Sequence, residues 1–193
     1  MLSIVLIRTG ATDFDEQGRI KGTLDVPLNE RGATDVLQQV PAIAGLGIKT
    51  LYASPCHSAQ QTAAVIGEQL KLKVRTVEQL NNLDHGLWHG LLIEDFRQRQ
   101  PKVYRQMQEH PQTVCPPGGE PLLAAQQRVA DAIEKLIRKH PRGVVAIVLP
   151  EPLCALAKAY LERSDVGDLW KAECECGGWQ AIAVDTHASA SSR

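Results

Sequence analysis

An α/β fold, with helices on both faces of a mostly parallel central sheet, follows from three features of the 193-residue sequence. Two short apolar runs, Ser3–Ile7 and Val144–Leu149, lack the alternation of a half-solvated strand. They read as strands buried on both faces. Between strand-sized segments lie stretches whose apolar residues recur every three or four positions, the period of a helix packed on a sheet. Strands and helices alternate along the chain, which predicts a three-layer α/β/α sandwich.

Each element has its own signal. The first strand stops abruptly at Arg8-Thr9-Gly10, so Arg8 to Thr12 should stand at its carboxyl end, where ligands bind in open α/β sheets. Phe14 to Asn29 reads as a loop rich in glycine and charge. A helix follows, with Asn29 as N-cap, a stripe of Ala33, Val36, Leu37 and Val40, and Pro41 to kink or end it. Lys49–Ala53 is a second strand. The helix after it carries Ala59, Thr62, Ala63, Ile66 and Leu70 on one face. Leu72–Val77 alternates charged and apolar residues, as an edge strand does. From Glu78 to Pro117 the pattern weakens to loops and one or two polar helices around Phe96 to His110, expected to form a lid. The longest helix buries Leu122, Ala125, Val129, Ile133, Leu136 and Ile137 and ends at His140-Pro141. A further helix, 152–161, and a last strand, Gly178–Val184, complete one domain spanning 1–184. The small, polar tail 185–193 is expected to be disordered.

Composition narrows the function. A net charge of −1 gives no basic footprint for nucleic acid or an anionic membrane surface. The apolar runs are strand-sized, too short for a membrane span. The five cysteines (Cys56, Cys115, Cys154, Cys174 and Cys176) are odd in number and scattered. With no basic, cleavable leader at the N-terminus, they point to reduced thiols in the cytoplasm.

Six short motifs carry a resemblance. They are Arg8-Thr9-Gly10 with Gly18-Arg19-Ile20-Lys21-Gly22, Asp25-Val26-Pro27-Leu28, Tyr52-Ala53-Ser54-Pro55, Gln61-Thr62-Ala63, Gly86-Leu87-Trp88-His89-Gly90, and Pro116-Pro117-Gly118-Gly119-Glu120. In this order and at these spacings the chain resembles the histidine phosphatase superfamily, the phosphoglycerate mutase-like fold, from Ser3 to about Val184. The resemblance implies a histidine nucleophile, two arginines and a second histidine around a phosphoryl group, and a carboxylic acid for the leaving oxygen. Those parts answer to a nucleophile active at neutral pH, cations for the equatorial oxygens, and a proton donor.

At the matching positions the chemistry is replaced. Thr9 stands for the nucleophile, Ser58 for the second arginine, Asn82 for the acid and Pro150 for the second histidine. Asp15 stands where some members use a phosphate-holding asparagine. Threonine needs an adjacent base, asparagine gives up no proton, and proline offers neither a ring nitrogen nor a backbone N–H. Asp15 would repel an anion. The implied protein is a catalytically inactive pseudoenzyme retained for binding a protein partner, its own copy or a small ligand. Arg8, Asp15 and Lys21 are its candidate ligand-binding residues, with no metal and no cofactor. Arg8 either still binds an anion or pairs with Asp13 or Asp15, the pair being the favoured reading. A phosphatase or other hydrolase relying on His57, His85 or Asp15 is the first alternative, and a purely structural subunit the second. His57, His85 and His89 match no metal spacing and read as solvated or satisfied. Cys174-Glu175-Cys176 is one residue short of a CxxC motif. Cys154, Trp88 and Trp179 read as packing residues.

Overall fold

A computed structural model describes residues 1–184; the tail expected to be disordered lies outside the described residues. The sheet has five strands in the order β3-β2-β4-β1-β5: β1 (Leu2–Arg8), β2 (Thr50–Ala53), β3 (Val74–Thr76), β4 (Gly143–Leu149) and β5 (Trp179–Val184). The two most apolar segments, β1 and β4, are adjacent and parallel near its centre, with Arg8 opposite Leu149. β5 runs antiparallel along the outer edge of β1.

Strand periodicity assigns each β1 side chain to a layer. Leu2, Ile4 and Leu6 join Ile147 and Leu149 of β4 in one core. That core is closed by Val129, Ile133 and Leu136 of α6 (Leu122–Lys139) and by Leu153 and Leu156 of α7 (Leu153–Glu162). Val5 and Ile7 join Ala146 and Val148 in the other. There they meet Val36, Val40 and Ile43 of α2 (Glu30–Ala44) and Ala59, Ala63 and Ile66 of α3 (His57–Leu70). Arg8 has the parity of Ile4 and Leu6, so its side chain leaves the sheet on the α6/α7 side. This is the three-layer sandwich expected from the sequence.

Several local expectations change. The 14–29 loop opens with a short helix, α1 (Asp13–Gln17), because Thr12 and Asp15 form a reciprocal capping box. Pro41 does not end α2, which runs one more turn to Ala44. Ile43 in that turn is 1% exposed, and its burial holds the turn past the missing N–H. Leu37, assigned to the buried stripe, is exposed and faces solvent. The edge strand is shorter than 72–77. The segment expected as a lid contributes α4 (Ile93–Arg99) and α5 (Pro101–Glu109), and it is anchored in the core rather than loosely laid over a pocket. Trp88, Phe96 and Met107 are buried. Tyr104 stacks on Trp170, at a ring separation of 5.1 Å, of a short helix unforeseen from the sequence, α8 (Leu169–Glu173).

The loop after β1 lies against the start of α2 with no room to spare. A Cβ on Gly32 would sit 2.1 Å from the Ala11 carbonyl oxygen, and one on Gly10 would sit 2.7 Å from the Gly32 oxygen. Both obstacles are backbone, which cannot swing aside. Gly32→Ala should therefore destabilise the fold by roughly 1–3 kcal/mol, the range for overpacking. Urea denaturation should show a lower midpoint at an unchanged slope.

Candidate functional site

The β1–β4 pairing brings Thr9 and Pro150 together at the carboxyl end of the sheet. Thr9 is 1% exposed; its N–H donates to the Leu149 carbonyl (3.1 Å) and its carbonyl accepts from Gly177 (2.7 Å). Ser58 is buried in the first turn of α3. The Asn82 amide donates to the carbonyls of Gly22 (2.9 Å) and Glu151 (3.0 Å), while its Oδ1 is buried without a partner. Pro150 is buried, and its carbonyl accepts from Cys154 at the start of α7. Thr9 and Pro150 thus sit close together as foreseen, and Asn82 reaches the residue after Pro150, all as packed structure.

Arg8 is not paired with Asp13 or Asp15. Its Nε donates to Glu151 Oε1 (2.6 Å), and Nη2 meets Glu175 Oε2 (2.9 Å). The reason is direction: Arg8 points to the α7 side, whereas Asp15 belongs to the helix that leaves the far end of the loop. Asp15 is held by Lys21 and by the Thr12 N–H and hydroxyl, both 2.7 Å away. The Asp15 and Lys21 side chains are each about 95% buried. The two candidate ligand residues therefore neutralise each other, and the repulsion expected from Asp15 is cancelled by its neighbour.

The histidines separate. His57 is exposed, and its backbone N–H donates to Asp25. His85, 1% exposed, bonds through Nε2 to the equally buried Glu173 of α8, leaving His85 Nδ1 and Glu173 Oε2 without partners. His89 Nε2 lies 3.1 Å from the His85 N–H and 3.3 Å from that of Thr23, an acceptor position, and burial lowers its pKa. His57 and His89 are solvated or satisfied as expected, whereas His85 is buried with one ring nitrogen unpartnered. Cys154 is a core residue whose thiol is pushed up by burial, and burial also raises Cys174 and Cys176, which disfavours a thiolate at any of the three. Among the described residues no cluster of three potential metal ligands occurs.

Glu151, Glu173 and Glu175 were not singled out from the sequence. Glu151 had a usable signal: it follows β4 as Arg8 closes β1, so adjacent parallel strands bring the two together. Glu173 and Glu175 carried none, because α8 and the turn after it reach the site only through tertiary packing.

The sequence model of the histidine phosphatase superfamily (branch 1) matches residues 4–191, and the chain belongs to that family. It is 27% identical over 186 residues to phosphoserine phosphatase 1 of Hydrogenobacter thermophilus, covering 96% of this chain and 88% of that protein. Among solved structures, Bacillus stearothermophilus YhfR superposes with a TM-score of 0.84 at 24% identity, over 96% of this chain and 92% of that one. A mycobacterial glucosyl-3-phosphoglycerate phosphatase solved with VO3 gives 0.81 at 24% identity, over 94% and 92%. These two share the fold.

Burial pushes the Glu151 carboxyl up to about 7; Arg8 and the Ala155 N–H pull it down, and Glu175 adds to the rise. A carboxyl raised in the folded state from an ordinary 4.5 favours folding while protonated. That contribution is complete below about pH 4.5 and is lost as pH rises through about 7. Measured against Glu151→Gln, wild-type stability should fall across this window by up to about 3 kcal/mol. Urea titrations at half-unit pH steps check it; a difference that stayed flat would remove the titration from Glu151.

Proposed function

We propose that the protein is a catalytically inactive histidine phosphatase, kept for binding rather than for phosphoryl transfer, and that it works in the cytoplasm. One observation carries this: Arg8, which remains from the implied phosphate-binding set, spends its guanidinium on Glu151 and Glu175. A phosphate dianion on the Nε edge of Arg8 would have to displace a buried carboxylate already bonded there at 2.6 Å. The groups that could activate Thr9 are committed elsewhere: Asp15 to Lys21, Glu151 to Arg8, His85 to Glu173. Asn82 has no acidic proton, and its amide is spent on two carbonyls. The occupant of the retained binding function is a protein, a second copy of the chain or a small ligand.

A second reading, an active phosphatase, draws on the relative named as a phosphoserine phosphatase and on the His85–Glu173 pair, a histidine oriented by a carboxylate with its other ring nitrogen unpartnered. Against it stands the 1% exposure of His85. Purified protein should release no phosphate from aryl, sugar or amino-acid phosphate esters above a buffer blank, and should form no acid-labile phosphoenzyme. Thr9→His alone should recover nothing, since catalytic groups act as a unit. Turnover that survives Thr9→Ala and disappears with His85→Ala would establish the second reading instead.

A further inference from the structure

The guanidinium of Arg8 is directed at Glu151 and Glu175. It opens into a separate cleft of about 270 Å³ between β1, α7, α8 and the edge strand β5, and Thr9, Ser58 and Asn82 take no part in its walls. Arg8, Glu151, Lys158, Lys171, Glu175 and Gln180 all contribute to its lining.

The two carboxylates on Arg8 are held differently. Glu151 is 1% exposed, fixed by the Ala155 N–H as well as by Arg8, and belongs to the framework. Glu175 has 41% of its side chain exposed and reaches Arg8 from a turn in which Gly177 and Gly178, two and three residues further on, have φ of 67° and 78°. Arg8 itself keeps 27% exposure. An exposed carboxylate on a partly exposed arginine is a weak pair, so a competing oxyanion can take its place.

We propose that this cleft is a capped oxyanion site: Glu175 is a displaceable internal occupant of Arg8, standing where a small molecule would place its carboxylate or phosphate group. Lys158 and Lys171 supply further positive charge in the walls. Glu162, Asp165 and Asp168 also line the cleft and oppose an anion. Glu162 is engaged by the Gln180 amide, and Asp168 caps α8 and accepts from Gln108. With Glu175 in place these acids weaken anion binding without abolishing it, so the site declares itself most clearly when the cap is removed. The proposal goes beyond the inactive-enzyme reading and is tested without an activity assay.

Isothermal titration of the full chain with inorganic phosphate, and in a parallel arm with acetate, tests it. Glu175→Gln, which keeps the shape of the side chain, and Glu175→Ala should each bind one of the two anions at least tenfold more tightly than wild type. The arm that responds separates phosphate from carboxylate. Adding Arg8→Ala should cancel the gain, and Lys158→Ala should reduce it severalfold. Equal affinity in wild type and both Glu175 variants, with unchanged circular dichroism, would overturn the proposal, as would a gain that persists without Arg8. Phosphate binding without turnover leaves the inactive-enzyme reading standing. Turnover by a Glu175 variant would end that reading and leave the capped site intact.

Discussion

Everything at this end of the molecule depends on the parallel ladder between β1 and β4. It is the most buried pairing in the sheet, with Val5, Ile147, Val148 and Leu149 all at or near zero exposure. Because the register sets Arg8 opposite Leu149, the residue after Pro150 is delivered beside the guanidinium. The Arg8–Glu151 pair is thus a consequence of strand pairing and of the alternation that sends Arg8 toward α7. A one-residue slip would turn Arg8 to the α2/α3 side, into a layer built from Val36, Ile43 and Ala59.

Around that ladder buried ionisable groups are paired with one another. Arg8 meets Glu151, Lys21 meets Asp15, and His85 meets Glu173, each with at least one partner almost wholly buried. Burying a pair adds little net stability, because desolvation offsets much of the Coulomb gain. Breaking one is different: the orphaned charge costs roughly 3–5 kcal/mol. These pairs therefore act as constraints on position. The first joins β1 to the β4–α7 turn, the second closes the loop after α1 on its own cap, and the third joins the 85–88 turn to α8.

The stretch from α8 to β5 completes the closure. Trp170 stacks on Tyr104 and donates its indole N–H to that residue's carbonyl, tying α8 to α5. Gly177 and Gly178 then bond the Thr9 carbonyl and the Arg8 N–H, so the chain passes directly over the end of β1. Space remains on the α7 side, where Glu175 caps Arg8. Closure over Thr9 and an opening beside Arg8 come from one segment. That arrangement is what the proposed binding role draws on.

Local chemistry made much of this legible before any coordinates. The unalternating runs of β1 and β4 specified buried parallel strands, the three-and-four spacing of α2, α3 and α6 specified their sheet-facing sides, and the motif order specified the family. The residue types at positions 9, 58, 82 and 150 were equally plain, and the proposed loss of activity was read from them. What tertiary structure alone decided were the partners. Arg8 was assigned to a nearby aspartate, yet it pairs with residues 143 and 167 positions away, because side-chain direction at the end of a strand is set by sheet parity and not by sequence distance. α1 and α8 were missed because five-residue helices are too short to show a period. They exist through a capping box in one case and through the Asp168 cap together with Trp170 packing in the other, and that packing has no trace in the local sequence.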